Sequence, residues 1–85
     1  MLSEKRQSDL YWSEAEALRQ TASDGFAAVQ IAHLRYEHAL EIVEDGALGA
    51  EAILAVRRQG HEYAEAVTRY SNAAMAWLAF METIK

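Results

Sequence analysis

The sequence contains no cysteine and no proline, and it has only 4 glycines in 85 residues. The absence of cysteine excludes a disulfide framework and thiol chemistry, and it favours the cytoplasm as the compartment. The absence of proline leaves glycine as the only strong helix breaker. No alternating strand pattern is present, whereas alanine, leucine, glutamate and arginine, which favour helix, are abundant. The sequence therefore predicts a single all-α domain over residues 1–85.

Positive charge and long apolar runs are also scarce. The chain has 8 lysines and arginines against 13 acidic residues, which gives a formal charge of −5. Because phosphate contacts need clustered lysine and arginine, we expect no direct binding of nucleic acid. The longest apolar run, residues 73–81, is shorter than the roughly 20 residues that span a bilayer. The first ten residues have no apolar h-region, so we expect neither a secretory signal nor contact with a membrane.

Small and apolar side chains recur at alternating intervals of four and three residues through the first half of the chain. This spacing is typical of a helix that packs in a coiled-coil manner. The period passes through Ser23, Asp24 and Gly25 without losing phase, which predicts one helix from about residue 8 to residue 44. The alternative is a second helix that starts at Gly25 and is capped by Ser23 or Asp24. The recurring residues are Tyr11, Ala15, Leu18, Ala22, Gly25, Val29, Ala32, Tyr36, Ala39 and Val43.

The same spacing continues in the second half and predicts a second helix from about residue 48 to residue 84. The turn between the helices, residues 44–49, contains Gly46, which suits a C-cap position with positive φ. Because the turn is short, the two helices should pack as an antiparallel hairpin. The recurring residues of the second helix are Gly49, Ala52, Val56, Gln59, Tyr63, Val67, Tyr70, Ala74, Trp77, Met81 and Ile84.

Folding the chain about Gly46 pairs positions whose numbers sum to about 95. In this register Gly25 faces Tyr70, so the missing side chain makes room for the tyrosine ring, and Tyr36 faces Gln59. We call the contact between the two helices the seam. The residues predicted to hold it are Leu18, Gly25, Val29, Tyr36, Val56, Tyr63, Val67, Tyr70, Trp77 and Met81.

More apolar side chains are present than one seam can bury. Leaving them exposed on a monomer would create a large apolar patch, so we expect the hairpin to dimerise into a four-helix bundle. The alternative is that another protein supplies the missing helices. Trp12 and Phe80, near the open end of the hairpin, are candidates to face a partner. The full set of predicted interface residues is Trp12, Phe26, Leu34, Leu40, Ile53, Leu78 and Phe80.

Residues that could carry chemistry are few. His33, Glu37, His61 and Glu62 fall at one level of the hairpin and are candidate metal ligands. However, the Glu-x-x-His motif of di-iron bundles is absent, so we interpret these residues as solvated or interface side chains and expect no cofactor. No nucleophile elbow or glycine-rich phosphate loop is present, and we therefore expect a protein that is not an enzyme.

The turn region resembles the small subunit of bacterial exonuclease VII. The resemblance covers about residues 29–67, and the chain departs from the pattern in its long arm before Phe26 and in the Arg57-Arg58 pair. It implies an acidic helical hairpin that is a non-catalytic subunit and binds a helical region of a larger nuclease subunit. The residues that carry the resemblance are Glu37, Glu41, Glu44, Gly46, Leu48, Glu51, Leu54, Gly60 and Ala64.

Three functions therefore stay open at this point. The sequence favours a non-enzymatic protein–protein interaction module that self-associates as a homodimeric helical bundle, with higher oligomers also open. A non-catalytic accessory subunit of a larger enzyme, such as a nuclease, is the first alternative. A metal-binding bundle is the second.

Overall fold

The chain folds into two long helices that form an antiparallel hairpin. The structure, a computed structural model, describes residues 2–46 and 49–83, and it describes side chains from residue 9 onward. Within these ranges α1 spans Leu2–Glu44 and α2 spans Ala50–Glu82, and the two helices pack against each other. The all-α hairpin predicted from the sequence is thus confirmed. Leu48 and Ile84, which were predicted to lie at the two ends of the second helix, fall outside the described residues.

Helix α1 is continuous through Ser23, Asp24 and Gly25. The side chain of Asp24 accepts a hydrogen bond from Gln20 Nε2 at 2.9 Å, one turn earlier in the same helix, and makes no capping bond. The helix begins at Leu2 rather than near residue 8, because residues 2–8 contain neither glycine nor proline to stop it. The alternative of a separate helix starting at Gly25 is therefore wrong.

The turn follows Glu44, and its first N–H groups still bond to carbonyl groups of α1. Asp45 N–H still donates to the carbonyl of Glu41 at 2.9 Å, and Gly46 N–H donates to the carbonyl of Val43 at 3.0 Å. Gly46 has a φ of +104°, a backbone conformation that side-chain-bearing residues rarely adopt. Gly49 is the N-cap of α2, and its carbonyl accepts a bond from Ile53 N–H at 3.2 Å. Glycine at residue 46 thus allows the reversal that makes the helices neighbours.

The two helices approach closely where glycine meets tyrosine. A Cβ atom on Gly25 would lie 3.3 Å from the Tyr70 Cα, so the α2 backbone itself occupies the space that a side chain would need. A Cβ atom on Gly60 would lie 3.1 Å from Cε2 of the Tyr36 ring. The first contact is the one that the register predicts. The second was not predicted, because Gly60 lies one position outside the seam inferred from the sequence.

In the second half of α2, Tyr70 and Trp77 are half-buried as predicted, but one of the two predicted rows is shifted by one residue. Val67 and Met81 are 39% and 37% exposed, although both were predicted to lie in the seam. Ala66, Ala73 and Phe80 are half-buried in their place. These three residues continue an unbroken seven-residue repeat from the start of α2, and their small alanines let the helices stay close. The predicted spacing contained two successive intervals of four, which the helix does not follow.

The hairpin is a thin rod, and its seam fully buries only small side chains. Its extents are 69 × 15 × 14 Å. In the part of the chain that the structure describes, only Ala15, Ala22 and Ala39 are buried apolar residues, and no large side chain is fully buried. Neither described helix has a stretch long and apolar enough to cross a membrane. The seam therefore buries only small residues fully, its large side chains stay half-buried, and many other large apolar side chains are exposed.

Candidate functional site

One flank of the hairpin carries apolar side chains along its length, and we call it the Phe26 side. Residues seven apart on a helix that packs in this way lie in one row beside the seam. The two rows share a flank, because one groove of about 320 Å³ is lined by Arg19 and Phe26 from α1 and by Ala74 and Leu78 from α2. The α1 row consists of Trp12, Arg19, Phe26, His33 and Leu40, and the α2 row consists of Ile53, Gly60, Val67, Ala74 and Met81.

The opposite flank, which we call the Arg35 side, mixes charges in its middle. Arg35 of α1 lines a groove together with Glu62, Glu65 and Arg69 of α2. Arg69 Nη2 lies 4.0 Å from Glu65 Oε2, and both side chains are exposed. Toward the turn this flank becomes apolar, where Ala39, Ile42, Ala52 and Ala55 line a further groove. Alternating charges of this kind suit a surface that stays in water.

The predicted interface residues divide between exposed and half-buried positions. Leu40 and Phe80 are half-buried. Phe80 stacks on Tyr11 with ring centroids 5.0 Å apart, so it packs within the hairpin rather than pointing away from it. The exposed residues are Trp12 at 63%, Phe26 at 48%, Leu34 at 64%, Ile53 at 47% and Leu78 at 55%.

Aromatic contacts fix where the exposed rings of α1 stand. The Trp12 ring meets the Tyr11 ring edge-on at 5.5 Å, and Tyr11 Oη donates to Met81 Sδ at 3.8 Å. Midway along the hairpin, the Phe26 ring lies 5.5 Å from the Tyr70 ring. Phe26 thus keeps one face on the hairpin and presents the rest of its surface outward, as an anchor residue of an interface does.

On the Phe26 side, Arg19 forms an ion pair with Glu16 within α1. Arg19 Nε donates to Glu16 Oε2 at 3.0 Å, and Arg19 Nη2 donates to the other carboxylate oxygen, Oε1. These hydrogen bonds hold the pKa of Glu16 below its ordinary value and raise the pKa of Arg19. Both side chains are more than half exposed, so water screens the pair. The arginine is therefore neutralised locally and remains available to a partner.

The candidate metal ligands do not form one site. His33 Nε2 lies 3.1 Å from Glu37 Oε1, and His61 Nε2 lies 3.0 Å from Glu65 Oε1, so each histidine pairs along its own helix. Glu62 lies on the Arg35 side instead. Among the described residues, no three histidine, aspartate or glutamate side chains gather where they could hold a metal ion. The single chain thus does not bring together the candidate ligands His33, Glu37, His61 and Glu62.

Hydroxyl groups in the helices bond to their own backbone. Thr21 Oγ1 donates to the carbonyl of Ala17 at 2.9 Å, and Thr68 Oγ1 donates to the carbonyl of Ala64 at 3.0 Å. A nucleophilic hydroxyl needs a base within hydrogen-bond reach, and these two donate to peptide carbonyls instead. The hydroxyl groups of Thr21 and Thr68 are therefore engaged by the helix backbone.

Gln59 breaks the apolar character of the seam, as its sequence position predicts. Its Oε1 atom is buried and has no hydrogen-bond partner. A polar residue inside a helical seam costs stability and favours one register over others. Gln59 also lines the groove on the Arg35 side near the turn, beside Arg35 and His38.

Comparison of the chain with known protein families, with curated proteins and with solved structures gives no match.

Proposed function

We propose that the chain is a non-enzymatic protein–protein interaction module whose hairpins self-associate into a homodimeric four-helix bundle. The observation that supports this most is the incomplete burial in the seam, where three alanines are the only buried apolar groups among the described residues and the large side chains stay half-buried. A stable helix pair must cover its wide apolar stripe, and this pair does not cover it alone.

The surface area of the chain supports the same proposal. A compact monomer of 9.5 kDa exposes roughly 5,000 Å². The hairpin exposes 6793 Å². The excess of roughly 1,800 Å² per chain is about twice the 800 Å² that each partner contributes to a standard interface, and it falls in the range of obligate homodimers. A second copy would bring the exposed area close to that of an ordinary folded protein.

The non-enzymatic part of the proposal rests on the side chains themselves. His33 and His61 pair with glutamates on their own helix, and the hydroxyls of Thr21 and Thr68 donate to backbone carbonyls. The grooves of the hairpin are open rather than enclosed, and their linings are mostly apolar or neutralised by opposite charges. For the compartment we propose the cytoplasm, where a chain without cysteine needs no oxidising environment.

The first experiment is light scattering behind a sizing column over a concentration series. A molar mass of about twice 9.5 kDa that persists on dilution is the expected result. A monomer at every concentration, with full helical circular dichroism, would overturn the proposal. Helical content must be measured in the same samples, because an unfolded chain also elutes early from such a column.

The alternative function, a non-catalytic accessory subunit of a larger enzyme such as a nuclease, rests on the turn region. Gly46 and Leu54 both belong to the residues that carry the resemblance to the exonuclease VII small subunit, and Leu54 is 59% exposed, where a larger protein could contact it. A monomeric or poorly folded chain that gains helix only with a larger protein would favour this alternative. A self-sufficient dimer would count against it.

A further inference from the structure

The Phe26 side repeats its own pattern when it is read from either end. Along α1 the row alternates large apolar and basic residues, and along α2 it alternates large and small ones. Phe26 is the midpoint of the first row and Val67 is the midpoint of the second. The α1 order is Trp12, Arg19, Phe26, His33, Leu40, and the α2 order is Ile53, Gly60, Val67, Ala74, Met81.

Because the helices are antiparallel, the two midpoints lie near the same level. Phe26 contacts Tyr70, which is less than one turn from Val67. At the open end Tyr11 bonds to Met81, and this places Trp12 and Met81 at a common level. Leu40 and Ile53 share the level nearest the turn. The Phe26 side therefore has a large apolar group at each end and in the middle, with basic and small residues between.

A surface with this symmetry is complementary to itself after a half-turn about an axis across the rod at Phe26. Under that rotation the Trp12 level of one copy meets the Leu40 level of the other, and the two Phe26 rings meet at the axis. Arg19 of one copy then lies opposite His33 and Glu37 of the other. The layer then contains the Arg19–Glu16 pair of one copy and the His33–Glu37 pair of the other, so Arg19 lies near a carboxylate of the second copy.

The alternative axis runs along the rod and puts both turns at the same end. This arrangement gains one pair of opposite charges, Glu37 with Arg57 of the second copy. It also stacks the acidic turns, because residues 36–56 contain no lysine or arginine. The acidic residues in that stretch are Glu37, Glu41, Glu44, Asp45 and Glu51.

The separation between the turns decides between the two axes. Stacked at one end, the two acidic turns would lie within about two helix diameters of each other. At opposite ends they lie several Debye lengths apart, where their repulsion is screened, since the rod is 69 Å long and the Debye length is about 8 Å. Arg19 would also share a layer with Arg19 of the second copy in the same-end arrangement. Charge therefore favours opposite ends.

We infer that the Phe26 side is the surface on which a second copy of this chain docks, with the two turns at opposite ends of the bundle. The inference rests on the proposed self-association and adds to it the surface and the direction of the second copy. It assigns to Phe26 the position on the twofold axis, and to Trp12 and Leu40 the contacts at the two ends.

A distance between labels at the turns tests the direction. The chain has no cysteine, so Asp45→Cys, in the exposed turn, accepts a single spin label. Asp45 is 19 residues from Phe26 along the chain, or roughly 28 Å along the helix, so opposite turns give an interlabel distance of about 55–60 Å. A distance under about 30 Å, as expected when two neighbouring hairpins share one end, would overturn the inference.

Disulfide formation between two variants tests the surface. Trp12→Cys and Leu40→Cys should each stay reduced when alone, because the two identical cysteines would lie at opposite ends of the bundle. The mixture should form an interchain disulfide, because residue 12 of one copy faces residue 40 of the other. Ile31→Cys mixed with Leu40→Cys is the control, since Ile31 is exposed but does not belong to the Phe26 rows. A cross-link of the control mixture, or none in the test mixture, would contradict the assigned surface.

The outcomes also separate this inference from the proposed function. Light scattering of the parent chain comes first, and the same measurement on each variant checks that it still associates. A monomer at all concentrations overturns the proposed function and this inference together. A dimer with a short turn-to-turn distance or with the wrong cross-links overturns only the docking surface and direction and leaves self-association standing.

Discussion

The Phe26 side and the Arg35 side flank the same seam, yet they differ in the chemistry that they present to water. In its middle, the Arg35 side places Arg35 and Arg69 among Glu62 and Glu65. The Phe26 side presents the Phe26 ring beside Ala74 and Leu78. If the two flanks were equally apolar, neither would be favoured as the surface for association. This difference supports the proposal that the charged middle of the Arg35 side stays in water and that the Phe26 side is the surface a second copy covers.

The largest expected effect comes from placing a charge on the Phe26 side. Phe26→Asp should weaken self-association at least about 100-fold, because a carboxylate would be buried among apolar groups where an anchor ring had been. Sedimentation equilibrium of the variant and the parent chain measures the change.

The matched control for that variant is Ile31→Asp. Ile31 is 51% exposed, close to the 48% of Phe26, but it lines the groove of the Arg35 side. We expect its association constant to stay within about threefold of the parent value, as for a substitution outside an interface. Equal losses for the two variants would mean that the two sides do not differ in function.

The next effect tests the seam on which both sides depend. Gly25→Leu should lower the free energy of unfolding by about 1–3 kcal/mol, because its Cβ alone would already press on the α2 backbone at Tyr70. Urea denaturation at fixed protein concentration measures it. Ala27→Leu, at an exposed position two residues away, is the control and should change stability by less than about 0.5 kcal/mol.

A smaller effect is expected from removing a charge on the Arg35 side. Arg35→Ala should change the free energy of unfolding by no more than about 0.5 kcal/mol, because Arg35 is exposed and its charged neighbours are solvated. The association constant should be unchanged within error. A loss as large as that of Phe26→Asp would show that the Arg35 side is an interface as well.

The smallest effect concerns Glu16 and its bond to Arg19. A carboxyl group whose pKa is lowered on folding adds stability above its unfolded pKa, and this contribution disappears as the pH falls through the lowered value. NMR titration should give a midpoint for Glu16 below that of an unpaired glutamate. Arg19→Ala should return the midpoint to the ordinary range. An unchanged midpoint in that variant would mean that the hydrogen bond does not persist in solution.

Most of the fold could be predicted from the sequence because helix periodicity is a local signal. The phase kept through Ser23, Asp24 and Gly25 predicted one helix, and α1 is continuous there. Gly46 marked the turn, and the register placed Gly25 against Tyr70. These features depend on spacing along one helix and on the position of a single reversal.

Sequence spacing did not decide which of two neighbouring apolar residues faces the other helix. In the second half of α2 both Ala66 and Val67 fit an apolar row, and the predicted seam followed the larger residue. The structure keeps Ala66 inward, because the helices are close enough for alanine and not for valine. Gly60 was missed because its role depends on the Tyr36 ring from the other helix, which spacing along one helix does not show. A strict seven-residue count from Ala52 would have found Ala66, Ala73 and Phe80.

The alanine seam also ties the folding of the proposed dimer to the abundance of the chain. When folding and association are one equilibrium, each tenfold dilution removes about 1.4 kcal/mol of stability, so the melting temperature falls with concentration. A hairpin that buries only Ala15, Ala22 and Ala39 among its apolar residues has little stability of its own to offset that loss. In the proposed dimer, a low concentration of the chain would therefore leave a larger unfolded fraction, which proteases degrade.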